Sequence, residues 1–189
     1  MTGPGPHDSG PETIVRAIVA YDTRYGNTEK VARALAKGMG AAGVEAKCSN
    51  IAELDPHSLA GFDFVAVGGP THYRTASQPM QAFLASLASV DLSGKLGFAF
   101  DTRKESFWAG SAAKYIERSL RSKGVRMVWP SLSAWVFIPE FVADEPGSLS
   151  KEDFEELKRS HVRLGEKMEE LFEKTGGEIA KELTGPGGR

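Results

Sequence analysis

Five apolar runs alternate with helix-patterned segments along this chain, and that alternation limits its fold more than any other feature. TIVRAIVAY (13–21) and FDFVAVGG (62–69) are nearly continuous apolar runs, as strands buried on both faces of a parallel sheet are. KLGFAFD (95–101) and VRMVWPSLSAWVF (125–137) repeat the pattern, the latter broken near Pro130, and VEAKCS (44–49) alternates like an edge strand. Between them, residues 28–42 carry Val31, Leu35, Gly38 and Met39 at helical spacing. QPMQAFLASL (78–87) is a second helical segment, and GSAAKYIERSLRSKG (110–124) is a third, with Ala113, Ile116 and Leu120 inward. A last helix starts at Ser150, which forms a capping-box variant with Asp153. Its stripe runs Phe154, Leu157, His161, Leu164, Met168, Leu171, and His161 reads as a packed, hydrogen-bonded histidine. Strand and helix in strict alternation predict one open α/β domain with right-handed crossovers and helices on both sheet faces.

The domain spans residues 13–174. Residues 1–12, rich in Gly, Pro and polar side chains, are expected to be a disordered tail, and 175–189 a flexible C-terminal tail. A net charge of −2 carries no nucleic-acid footprint, and the single cysteine, Cys48, excludes an internal disulfide. No run approaches the roughly 18–20 apolar residues of a membrane span. The N-terminus has neither the basic nor the apolar part of a signal peptide, so the expected location is the cytoplasm.

Open α/β sheets bind ligands beyond the carboxyl ends of their strands, beside the topological switch point. The loops there are 22–28, 69–77 and 101–109. The first, Thr23-Arg24-Tyr25-Gly26-Asn27-Thr28, runs straight into a helix, whose unpaired N–H groups and partial positive charge suit an anion. Gly26 permits the turn, and Thr23, Asn27 and Thr28 add short donors. This is a phosphate cradle made mainly of neutral hydrogen bonds. It lacks the Gly-Lys-Thr of a nucleotide-hydrolysing loop and the Cys and Arg of a cysteine phosphatase, and Asp22 has no second acid beside it for a phospho-receiver site.

YDTRYGNTEKVA resembles the phosphate loop of flavodoxins, with its Thr/Ser-x-x-Gly-x-Thr pattern. GGPTHYRTASQP (68–79) and AFDTRKESFWAGSAAK (99–114) are similar to the second and third loops of flavodoxin-like domains, including those fused to di-iron oxygen reductases. The resemblance covers about residues 14–172. It implies a three-layer flavodoxin-like α/β fold with a five-stranded parallel sheet of order 2-1-3-4-5, binding FMN. It implies that Thr23, Arg24, Tyr25, Gly26, Asn27 and Thr28 hold the phosphate. Pro70, Thr71, His72, Tyr73 and Arg74 would border the isoalloxazine ring from the second loop, and Asp101, Thr102, Arg103 and Trp108 from the third, with His72 at a stacking position and Phe107 beside Trp108.

Two departures from that family stand out. Flavodoxins often place Gly beside the stacking residue, where a peptide flip lets a carbonyl accept the N5–H bond of the neutral semiquinone. Here Tyr73 and Arg74 follow His72, and positive φ costs a non-Gly residue about 1–2 kcal/mol, about a decade in an equilibrium. The loops also carry Arg24, Arg74, Arg103 and Lys104 against Asp22, Asp101 and Glu105. Positive groups near the ring favour anionic reduced forms and raise the potential. A poor low-potential one-electron carrier is therefore expected.

The leading function is FMN-dependent electron transfer between redox partner proteins, a reductase and an acceptor, without an acid–base residue. The alternative is an FMN-dependent NAD(P)H oxidoreductase acting on a quinone-like acceptor, since GGPTHYR is similar to the corresponding loop of flavodoxin-like quinone reductases. A third reading keeps the fold as a binding module with weak or no flavin. Monomer and homodimer are both compatible, and no nucleic-acid or membrane partner is expected.

Overall fold

The structure, a computed structural model, describes residues 14–105, 110–143 and 149–185. The expected N-terminal tail, 1–12, lies outside them. In chain order the elements are β1 (Arg16–Tyr21), α1 (Asn27–Ala41), β2 (Glu45–Asn50), β3 (Phe64–His72), β4 (Thr75–Ala76), α2 (Gln78–Ser86), β5 (Leu96–Lys104) and α3 (Ala112–Ser122). They continue with β6 (Arg126–Met127), β7 (Leu132–Phe137), α4 (Glu140–Ala143), α5 (Lys151–His161), β8 (Arg163–Leu164) and α6 (Met168–Thr184).

Parallel strands follow the order β2, β1, β3, β5, and the fifth position is shared by β6 and β7 on either side of Pro130. This is the expected 2-1-3-4-5 order. Two short antiparallel additions were not expected: β4 folds back on β3, and β8 pairs with the outer edge of β7. Side chains alternate across the sheet because the strand period is two. Ile18, Ala20, Val65, Val67 and Ala99 meet Met80, Phe83 and Leu84 of α2 and Ile116 and Leu120 of α3. Val19, Phe64, Ala66, Phe98 and Phe100 meet Val31, Leu35 and Met39 of α1 and Phe172, Ile179 and Leu183 of α6. Among the described residues no helix is long and apolar enough to cross a membrane.

The C-terminal third differs from expectation. The single helix after Ser150 is two helices. Ser150 Oγ does cap α5, accepting from Asp153 N at 3.1 Å. The chain then leaves the helix at Val162 and pairs Arg163 and Leu164 with Phe137 and Val136. It re-enters a helix after Lys167, at φ 62°. The free edge of β7 explains the break: it offers backbone groups that β8 and the 2.8 Å bond from Gly165 N to Trp135 O satisfy. Leu171, read as inward, is 38% exposed. The C-terminal tail is also corrected. α6 continues to Thr184, with Thr175, Gly176, Ile179, Ala180 and Leu183 buried, so most of 175–189 belongs to the packed domain.

The β3–β4 hairpin brings Tyr73 and Arg74 to the tip of the second loop, at φ 45° and 70°. Two central residues at positive φ are what a two-residue type I′ connection requires, and Asn-Gly fills it best. The left-handed conformation that counts against Tyr73 and Arg74 in sequence is thus already adopted. Tyr73→Asn with Arg74→Gly should stabilise the protein by about 1 kcal/mol, raising the melting temperature by roughly 2–4 °C in a calorimetric scan. An unchanged or lower value would show that the tip is not strained.

Candidate functional site

The first loop leaves β1 at Asp22, whose N–H donates to Gly68 O at 3.0 Å. The Asp22 carboxylate accepts the Ser77 hydroxyl, and Ser77 Oγ in turn accepts from Met80 N at 3.3 Å to cap α2. Gly26, at φ 78°, turns the chain into α1, with open space where a Cβ would stand. No side chain caps α1 at Gly26, which leaves its first-turn N–H groups without a capping side chain. Thr23 Oγ1 is buried without a hydrogen-bond partner. Thr28 Oγ1, also buried, lies 2.8 Å from Thr102 Oγ1 and ties the loop to β5. A buried unpaired hydroxyl costs roughly 1–3 kcal/mol, and a bare helix N-terminus attracts negative charge. Thr23, Gly26, Thr28 and the α1 amides therefore form a donor-rich cradle that fits an anion.

The other three loop residues turn away from it. Arg24 donates to Glu155 of α5 at 2.7 Å and, at 3.3 Å, to His72 Nε2. Tyr25 donates its hydroxyl to the second Glu155 oxygen at 3.1 Å. Asn27, 5% exposed, donates to Val162 O at 3.0 Å. Burial pushes the Tyr25 phenol up to about 12, with the Arg24 charge pulling against it and the Glu155 carboxylate adding to it. Burial also acts to raise the Glu155 carboxyl, but the hydrogen bond and charge of Arg24, joined by Tyr25, hold it below the usual range. Near neutral pH Glu155 is thus an acceptor and Tyr25 a donor.

In the second loop Pro70 is half-buried, and His72, Tyr73 and Arg74 are exposed, Tyr73 at 89%. The His72 and Tyr73 rings meet edge-on at 4.4 Å. Thr71 serves the scaffold: its hydroxyl donates to Asp101 at 2.8 Å and accepts from Ala112 N at 2.9 Å. Asp101 is fully buried, and the same oxygen accepts from Ser111 Oγ at 2.9 Å and Ala113 N at 3.1 Å, clamping the start of α3 to β5. Its other oxygen has no partner. Arg103 lies over the Trp135 ring at 4.7 Å and donates to Gly110 O, and Arg74 bridges to the same glycine. Phe107 and Trp108 lie outside the described residues.

The cradle thus gathers Thr23, Gly26, Thr28 and Thr102, with His72 linked through Arg24. Thr71 and Asp101 are engaged in holding loops to the fold, and Arg103 is stacked on β7. The positive excess counted in the loops is smaller than sequence suggests, because Arg24 is neutralised by Glu155. Glu155 and Val162 could not be found from sequence, since each contact spans more than 100 residues. Trp135 carried a signal: it stands at the carboxyl end of the fifth strand. Burial pushes the Cys48 thiol up to about 11, Arg33 opposing and Glu29 adding, which keeps it an inert thiol. Among the described residues no group of three or more His, Cys, Asp or Glu side chains could hold a metal ion.

The family model for flavodoxin matches residues 19–189. A Synechocystis protein provisionally named diflavin flavoprotein A 4 is 28% identical over 157 residues, covering 81% of this chain and 26% of its own length. A flavodoxin of Clostridium saccharobutylicum is 32% identical over 89 residues, 47% of this chain and 56% of that one. The chain spans 30% or less of the first curated relatives it matches. A solved archaeal flavodoxin superposes with a TM-score of 0.67 at 22% identity, covering 90% of this chain and 100% of that one, which shows the shared fold. With the strand order and the cradle in the place where such sheets bind ligands, the chain belongs to the flavodoxin family, and membership implies a flavin as its cofactor.

Proposed function

We propose that this protein binds FMN by its phosphate in the first loop and relays electrons between a donor and an acceptor protein. The observation that carries the reading is Thr23 Oγ1, buried and unpaired beside a helix N-terminus that no side chain caps. A phosphate would accept from both. When bound, the flavin supplies the ring that takes up and gives up electrons. The protein's own part is to bind and orient. The α1 amides and the Thr23 and Thr28 hydroxyls hold the anion. Asp101, through Thr71, Ser111 and Ala113, keeps the second and third loops in fixed relation. His72 and Tyr73 are the aromatic side chains that would border the ring. Arg24 donates to His72 Nε2, which ties the second loop to the first and orients the imidazole.

Adding FMN to the apoprotein should quench flavin fluorescence saturably. At a hundredfold excess over Kd it should add about 2.7 kcal/mol of stability, roughly 5–10 °C in melting temperature for a domain of this size. No quenching and no shift would overturn the reading. Stepwise anaerobic reduction then tests the role. A semiquinone spectrum, neutral or anionic, that rises and falls around half reduction is expected of a one-electron relay. Rapid direct bleaching by NADH or NADPH alone would place the oxidoreductase reading ahead.

A further inference from the structure

Between Asp22 and Asn27 the first loop has few anchors of its own. Thr23 Oγ1 has no partner, Gly26 has no side chain, and α1 has no side-chain cap. The loop side chains that are held there, Arg24 and Tyr25, are both held by Glu155, one on each carboxylate oxygen. One step on, Asn27 is held by Val162 O. Loop residues 23, 26 and 28 thus face the cradle while 24, 25 and 27 grip the segment from α5 to β8.

We propose that this segment is a brace for the phosphate cradle, with Glu155 a positioning residue that acts through Arg24 and Tyr25. The inference rests on the FMN reading above. As an ion pair, Arg24–Glu155 adds little to the fold, since its side chains are 45% and 29% exposed. Its effect is on order. A loop fixed before the ligand arrives gives up less conformational freedom on binding. The opposite effect would be competition, with Glu155 withholding Arg24 from the phosphate. Preorganisation prevails because one carboxylate restrains two adjacent residues at once. The charge released by removing it would sit on an exposed side chain, screened by solvent.

The test compares FMN with riboflavin, which has the same ring and no phosphate, by fluorescence titration of the wild-type protein, Glu155→Ala, Glu155→Gln and Tyr25→Phe. Glu155→Ala should weaken FMN about tenfold while riboflavin changes by less than about twofold. Glu155→Gln, which keeps an acceptor oxygen, should recover most of the loss, and Tyr25→Phe should show a smaller phosphate-selective loss. Thermal protection by inorganic phosphate, read against chloride at equal ionic strength, should fall in Glu155→Ala as well. Equal or tighter FMN binding by Glu155→Ala would overturn the brace in favour of competition. An equal loss for both flavins would overturn it in favour of general loosening. If the wild-type protein binds riboflavin but gains nothing from the phosphate, or binds neither flavin, the FMN reading itself fails.

Discussion

Gly38→Ala should lower the melting temperature by roughly 6–12 °C, corresponding to about 3 kcal/mol of lost stability. Helix propensity predicts the opposite sign, since alanine is favoured over glycine inside a helix by about 0.8–1 kcal/mol. The close approach of α1 and α6 decides the matter. A Cβ on Gly38 would fall within the Glu173 carbonyl, and one on Gly176 within the Leu35 carbonyl, so the two backbones touch through paired glycines. Phe172, Ile179 and Leu183 are buried on the same seam, and Lys37 reaches Glu173 at 2.9 Å. Gly40 in the same helix is the matched control, because nothing lies within 4 Å of its Cβ position. Gly40→Ala should leave stability unchanged or slightly raised. Adding Gly176→Ala to Gly38→Ala should cost much less than it does alone, since the helices would already be forced apart. Equal melting temperatures for Gly38→Ala and Gly40→Ala in thermal scans would show that α6 is not docked this way.

That seam also marks where sequence reading stops. The sheet was legible because each buried strand carries its own signal, down to the break at Pro130, and Ser150 announced α5 by its cap. Gly176 and Gly177 were misleading. They open the stretch expected to be a flexible tail, whereas Gly176 is the residue that lets α6 reach α1. The split between α5 and α6 was hidden for a related reason. Phe154, Leu157, His161, Leu164 and Met168 keep helical spacing across it, and only the unpaired edge of β7 draws residues 163–164 into the sheet. His161, by contrast, is hydrogen-bonded as expected, with Nδ1 2.9 Å from Leu157 O, but it is only half-buried, its ring edge-on to the exposed Phe141 at 5.2 Å. At the site, the loop positions were legible and the division of labour within them was not. Whether Arg24 faces a phosphate or Glu155 depends on a helical residue 131 positions away.

Thr23→Val should move two quantities in opposite directions. Valine has nearly the shape of threonine without the hydroxyl, so in the apoprotein it removes a buried oxygen that has no partner. Relief of that desolvation should raise apoprotein stability by about 1 kcal/mol, a few degrees by differential scanning calorimetry. With FMN the same change removes a hydrogen bond to a charged acceptor, about 1.5–3 kcal/mol, or roughly 10–100-fold in Kd. Riboflavin binding should be unaffected. Thr23→Ser, which keeps the hydroxyl, should retain most of the FMN affinity. A hydroxyl that only helped the loop to fold would give the reverse pattern, a less stable apoprotein and equal losses for both flavins. Opposed signs in the valine variant require a group held ready for a ligand at some expense to the empty fold, as expected if Thr23 donates to a phosphate.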